Sequence, residues 1–369
     1  MTRIYFVKAV AIFFLLLPVV SQASPPTLSF CTFTGQDTVC PADHPGSATT
    51  GNRTLNDSIT AITGSISKAT AMALRSKTVL GGTTFGANLD LEREAGIAAG
   101  DNTTFNWGTW ANISRTNGGS DVIYQEFDSA LYSTLVGFDR SYSENLIYGI
   151  AFGYDNNDVE TDFNLGEQDI TSFTIAPYLG YVINQNFTFD LSAGYSGIDI
   201  DQTRLVPTGG GPVIISDNTD SDRFFVSGNL NGYTRYKDFV FSGRLGVIYA
   251  NDDRDAIDET RTTGETSGSH TVELGELQVG GDIAYSAWKL EPYATFFYEY
   301  DFIYEDLNLD PGLIAAFGNA ANDPSDFRIG FGARYFGNDG FSSTLEWTAI
   351  ADRSEFDSQI LSLTLRLDF

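Results

Sequence analysis

The chain has 369 residues, with 21 basic against 48 acidic side chains and a formal net charge of −27. So acidic a composition excludes nucleic-acid binding, where a basic surface supplies most of the affinity. Two histidines (His44 and His270), two cysteines and no Gly-x-Ser-x-Gly elbow leave little from which to assemble a hydrolytic triad, and the sequence is read as a non-enzyme with no cofactor.

The first 23 residues read as an export signal. Arg3 and Lys8 flank the start of an apolar stretch, Ala9 to Val20, and Ser21-Gln22-Ala23 supplies small residues where cleavage requires them, placing the cut between Ala23 and Ser24. The stretch is short and contains Pro18, which makes an uncleaved anchor the weaker reading. No later run approaches ~18 apolar residues, so a mature chain that enters a membrane must do so as a barrel.

Residues 24–102 form a short exported segment of different composition, rich in Pro, Ser and Thr. Cys31 and Cys40, with eight residues between them, predict a small disulfide loop in an oxidising compartment. A metal site from Cys31, Cys40 and His44 would lack a fourth ligand and the usual spacing. Farther on, Leu55, Ile59, Ile62, Ile66, Ala69 and Ala73 make one helical stripe. Thr54 with Asp57 resembles a capping box, Arg75 and Lys77 suit the negative C-terminal end, and Gly81-Gly82 stops the run. Gly64 and the β-branched residues work against the helix. A helix over about 55–79 would be ~37 Å long at ~1.5 Å per residue, enough to run through the membrane-spanning part of a barrel. A surface helix on the periplasmic side is the alternative.

From about residue 103 the period changes to two. LIYGIAFGY puts Leu146, Tyr148, Ile150, Phe152 and Tyr154 on one face and Gly149, Ala151 and Gly153 on the other. FTFDLSAGY, FVFSGRLGVIY, LQVGGDIAY, LEPYATFFYEYDF, FRIGFGARY, FSSTLEWTA and the closing LSLTLRLDF repeat the arrangement, and weaker members begin near Phe105, Leu131, Phe173 and Phe224. Twelve such segments of about ten residues are the signature of transmembrane β-strands. The links RSYSEN, NQN, KD, WK and GND are brief. They alternate with long acidic connections at 155–168, 198–222, 251–269 and 305–325, which sorts every long loop to one end. Acidic groups within them, such as Asp252, Asp253 and Asp255, fit no calcium-loop spacing.

The face opposite the aromatics carries Arg244, Glu276, Asp282, Glu291, Glu299, Arg328, Arg334, Glu346 and Arg366. The dry core of a soluble sandwich could not hold so many charges, since each unpaired buried ion costs several kcal/mol. A wet lumen can. The fold read from these patterns is all-β: a twelve-stranded antiparallel transmembrane β-barrel over 103–369, with a short N-terminal helical segment in or near its lumen. Twelve strands lie between the side-chain-filled eight-stranded barrel and the open sixteen-stranded channel, so the lumen has room for about one helix.

FNWGTWANISR at the first strand, YSTLVGFDRSYSENLIYGIAFGYDNND across strands two and three, and LSLTLRLDF at the end resemble the translocator (β) domain of autotransporters, the type V secretion proteins. The resemblance covers about 267 residues. It implies a twelve-stranded outer-membrane barrel in a Gram-negative bacterium, a lumenal helix leading to a secreted passenger, and a C-terminal aromatic, here Phe369, read by the barrel-assembly machinery. It also implies outer-membrane lipid, lipopolysaccharide and periplasmic chaperones as partners. The passenger of such proteins is here cut down to about 79 residues, without solenoid repeats and without the Asn-Asn pair at which some members cleave themselves, for which Asn56-Asp57 is a poor substitute. Two functions follow as expectations. One is a barrel that translocates or displays its N-terminal segment and acidic loops at the cell surface, with a role in adhesion to an extracellular ligand. The other is a narrow plugged pore or structural barrel.

Overall fold

The computed structural model describes residues 32–34, 37–39 and 48–78, and most of 107–369, apart from 121–125, 163–164, 209–210, 256, 259–265, 268, 288, 305–323, 338–339 and 352–355. The signal-peptide stretch with its Ala23–Ser24 cut and the pair Cys31 and Cys40 lie outside the described residues, although a two-strand ladder, Thr32–Thr34 with Asp37–Val39, is described between the cysteines.

Twelve antiparallel strands close into one barrel. In chain order they are β1 (Trp107–Ser120), β2 (Phe127–Ser141), β3 (Leu146–Thr161), β4 (Gly166–Asn184), β5 (Phe187–Thr208), β6 (Gly211–Tyr236), β7 (Phe239–Arg254), β8 (His270–Tyr285), β9 (Leu290–Tyr304), β10 (Ser325–Phe336), β11 (Phe341–Ala351) and β12 (Asp357–Asp368). Each pairs with its sequence neighbour, and β12 closes on β1 from Asp357↔Gly119 to Asp368↔Gly108. The seam ends on Phe369 and Trp107, which exchange backbone hydrogen bonds of 3.1 and 2.8 Å. Within the wall that all twelve strands share, no strand is an edge and each backbone finds its partners in the barrel, as a lipid-facing sheet requires.

The alternation in the sequence becomes inside and outside. On β7, Phe239, Phe241, Leu245 and Val247 are exposed on the outer surface while Val240, Ile248 and Ala250 are buried. Phe239 and Tyr249 are ten residues apart, ~33 Å along a strand at ~3.3 Å per residue. With a tilt of ~40° that becomes ~25 Å of height, the apolar band of an outer-membrane barrel. Outward aromatics gather at its two margins: Trp107, Tyr148, Tyr181, Phe187 and Phe239 toward one mouth, Tyr132, Tyr154, Phe173, Tyr195 and Phe224 toward the other. A β-bulge in β9, where Gly275 faces Ile303 but Glu276 faces Asp301, turns both Phe302 and Ile303 outward and keeps the acids inward.

Two of the expected long loops are corrected. Residues 155–168 and 198–222 are mostly strand: β3 and β4 pair through to Thr161↔Gly166, and β5 and β6 through to Thr208↔Gly211. Beyond the apolar band a strand needs no greasy face, only a partner for its backbone, so acidic composition there was mistaken for irregular chain. The connections 255–269 and 305–324 remain long. All of these lie at one mouth, the long-connection mouth; the tight turns at 142–145, 185–186, 237–238, 286–289 and 337–340 lie at the other, the short-turn mouth, where the chain also enters β1 and leaves β12.

The helix is α1, Ala48–Leu74, followed by one 3₁₀ turn, Arg75–Lys77. It begins before the expected cap at Thr54, which is itself buried. The side chains of Arg53, Asn56, Asp57 and Ser58 are held by the barrel wall, so the first turns lie inside the lumen rather than at a free end.

Candidate functional site

The candidate site is the lumen, where α1 runs along the inner wall and is fastened at three heights. Near the long-connection mouth, Asn56 donates to Glu276 on β8 at 2.8 Å and Ser358 on β12 donates to Asp57 at 2.8 Å. Ser58 donates to Asp155 on β3 at 3.2 Å and accepts from Arg223 on β6 at 2.9 Å, and Arg223 also pairs with Asp252 on β7 at 2.8 Å. Arg53 lies 3.7 Å from Asp301 on β9.

At mid-height the apolar stripe does the holding. Leu55, Ile59, Ile62, Ile66 and Ala69 are buried against Trp110, Leu135, Ala151, Ala176, Tyr178, Phe225 and Ile248. On the opposite helix face, Lys68 reaches Glu346 on β11 at 2.5 Å and Ser362 on β12 at 3.3 Å. At the short-turn mouth, Arg75 pairs with Glu291 on β9 at 2.6 Å and stacks 3.9 Å from the Phe336 ring, while Lys77 donates to the Ser143 carbonyl in the β2–β3 turn at 3.1 Å. Leu74 packs with Ile147 and Val182.

α1 therefore runs in one direction only: its N-terminal end sits among residues of the long-connection mouth and its C-terminal end among those of the short-turn mouth. Ion pairs of this kind add little net stability over well-packed apolar pairs, but an unpaired survivor costs ~3–5 kcal/mol. They fix the rotation and depth of the helix more than they strengthen it.

The nine charges read from the sequence all lie on the inner wall, and the structure brings most of them together. Arg334 on β10 joins Asp282 on β8 at 2.9 Å and Glu291 on β9 at 3.5 Å. Arg328 donates through Nε to both oxygens of Glu299 at 3.0 Å. Glu276 is linked through Gln278 at 2.7 Å to the same neighbourhood. Glu346 takes Lys68 and the Tyr293 hydroxyl, the latter at 2.6 Å. Arg366 grips Asp139 on β2 with two bonds of 2.7 Å, and Tyr178 and Trp110 extend that chain at 2.8 and 2.6 Å. Arg244 stands apart: its guanidinium lies 4.3 Å from the Phe297 ring, with no ion pair among the described residues. Phe369 is not in the lumen; its ring is 60% exposed at the outer surface of the seam.

Sequence reasoning missed Asp139, Asp155, Arg223 and Asp252 as wall residues, and Arg53, Asp57 and Lys68 as their counterparts on the helix. For Asp139 the signal was present, since it follows the outward Phe138 in register, but Asp155 and Asp252 fell in stretches taken for loops. Among the described residues no group of acids, histidines or cysteines is arranged to hold a metal ion, and no helix is long and apolar enough to cross a membrane.

A family model described as the autotransporter β-domain matches residues 107–348. The search of curated proteins found no match. Among solved structures, the chain is similar to the translocator domain of the autotransporter NalP from Neisseria meningitidis, at 12% identity and a TM-score of 0.58, over 73% of this chain and 90% of that one. It is also similar to the β-domain of the Bordetella autotransporter BrkA, at 15% identity and a TM-score of 0.53, over 72% and 100%. The transport unit of AIDA-I from Escherichia coli matches at 11% identity and a TM-score of 0.53, over 76% and 96%. At such identities the likeness concerns the fold.

Proposed function

This chain belongs to the autotransporter β-domain family, outer-membrane barrels of type V secretion, and on that premise we propose that it carries its own short N-terminal segment across the outer membrane and holds it at the cell surface, tethered by α1. The direction of α1 supports the reading. Outer-membrane barrels keep tight turns in the periplasm and long loops outside, so the N-terminal end of α1 faces the exterior and the chain preceding it emerges there. With residues 31–40 folded back as a loop, the rest of 24–47, extended at ~3.3–3.6 Å per residue, reaches up to ~50 Å from the mouth. The Cys31–Cys40 loop would then be displayed beside the acidic β3–β4 and β5–β6 hairpins, a surface suited to adhesion.

The remaining partners follow from the same premise. Phe369, held in the closing seam with an exposed ring, is the residue the barrel-assembly machinery would read after periplasmic chaperones deliver the chain. The outward aromatic margins would sit at the lipid headgroups, one of them against lipopolysaccharide. The cavity beside α1, about 180 Å³, favours a second reading, a narrow plugged pore. That reading requires conductance to rise when residues 55–79 are deleted.

An epitope tag placed directly after Ser24 separates them. Antibody and protease should reach the tag on intact cells. A tag reached only after permeabilisation would leave the segment in the periplasm and remove the display reading.

A further inference from the structure

One hairpin outgrows the wall that carries it. β4 stays beside β5 only as far as Glu167↔Thr203, and β7 stays beside β6 only as far as Ser221↔Arg254. Beyond those points β5 and β6 pair with each other, on to Thr208↔Gly211. Leu205 lies ten residues past Tyr195 of the outer aromatic margin, ~33 Å along the ribbon at ~3.3 Å per residue. At a strand tilt of ~40° that is ~25 Å above the lipid. A two-stranded ribbon standing alone in water is marginal.

The end of this ribbon is apolar and one of its edges is open. Ile214 is 71% exposed and Val213 38%, with Leu205 in register opposite Ile214. Lipid does not reach that height. Lower down, the ribbon turns acidic, with Asp199, Asp201, Asp220 and Asp222 exposed. The Asp220 carbonyl accepts from the Asp255 N–H on the β7 side. Backbone groups alternate sides along a strand, so Ile214 and Ser216 turn N–H and carbonyl to that same side. There they meet no backbone partner among the described residues. An open edge flanked by apolar side chains is a template for a further strand.

The charge pattern selects that strand. Set in parallel beside a copy of itself, the ribbon would place acid against acid, which is destabilising. Antiparallel about a two-fold axis, with Ile214 opposite Ile214 of the second copy, Val213 meets Ile215, Ser216 meets Pro212 and Asp217 meets Gly211. Carboxylates then stay apart. Direction decides where the second copy stands. β6 descends from its tip toward the membrane, and every copy in one membrane does the same. An antiparallel copy must come from a membrane facing this one.

We propose that the β5–β6 hairpin is a self-recognition edge, pairing β6 of one molecule with β6 of a second copy in an opposed membrane. This names the partner for the adhesion reading and rests on that reading's orientation, with the long-connection mouth outward. An edge of about six residues buries less than the ~1,000 Å² of a lasting complex. Adhesion therefore comes from many weak pairs acting together.

The full mature chain, refolded into phospholipid vesicles of two fluorescent colours, tests this by light scattering and two-colour co-localisation at physiological salt. Vesicles bearing the protein should cluster with one another and not with protein-free vesicles. Ser216→Pro removes one edge N–H where an edge strand tolerates proline, and should abolish clustering. Exchanging residues 203–216 for an Asn-Gly turn should do the same. Ile214→Asp, which sets carboxylates against each other at the axis, should also disperse the vesicles. Clustering with protein-free vesicles would mean that the tip enters lipid, and would overturn the proposal. So would vesicles that stay dispersed, or clustering that survives either Ser216→Pro or the shortened hairpin. Failure of the display reading shows separately, as a tag after Ser24 hidden on intact cells while the vesicles still cluster.

Discussion

Arg366 shows how individual residues make the wall. It lies on β12 and its carboxylate, Asp139, on β2, with β1 between them; Gly108 lies under the crossing, where an added Cβ would collide with the guanidinium. Gly137 likewise makes room for Trp110, and Gly149 for Tyr178. The small residues opposite the aromatics on β3 were legible as an inward face, but their purpose was not, because alternation says which side a residue takes and not what crosses over it. Replacing Arg366 by Met leaves Asp139 buried without its ion-pair partner and should lower stability by ~3–5 kcal/mol in urea unfolding of the refolded barrel. Replacing Arg115 by Met, which loses a contact with the Tyr132 ring and an exposed hydrogen bond to Asn117, should cost no more than ~1 kcal/mol. Equal losses would refute the buried network.

Single strands and the helix obey two different solvents along their length. Within the apolar band the outer face must be greasy. Leu245→Arg, near the middle of β7 and 46% exposed, should destabilise by ~2–4 kcal/mol in lipid vesicles. Beyond the band the same strand tolerates acids, which is why Asp199, Asp201 and Asp220 on β5 and β6 read as loop and are strand. Replacing residues 203–216, whose flanks Gln202 and Asp217 already pair, by an Asn-Gly turn should leave unfolding unchanged within ~0.5 kcal/mol; a large loss would mean that the hairpin supports the barrel. The helix was legible from Leu55, Ile59, Ile62 and Ile66, since an apolar stripe among polar residues needs a wall. Its true start at Ala48 was not, because the contacts of Arg53 and Asn56 with Asp301 and Glu276 are made with strands more than two hundred residues away.

At the scale of the molecule, a closed barrel of twelve strands follows from twelve alternating segments, the sorting of their connections and the charges opposite their aromatics. The charges are what excluded a sandwich. Their pairing, and the cavity left beside Gly64, depend on barrel curvature and helix depth, which no one-dimensional pattern encodes. The central claim is that α1 threads the lumen with its N-terminal end outward. Single cysteines at Arg53 and at Lys77, in a chain with Cys31 and Cys40 replaced by serine, test it on whole cells with a membrane-impermeant maleimide. The account predicts labelling of Arg53→Cys on intact cells and of Lys77→Cys only after the outer membrane is permeabilised. The reverse pattern, or labelling of neither until permeabilisation, would contradict it.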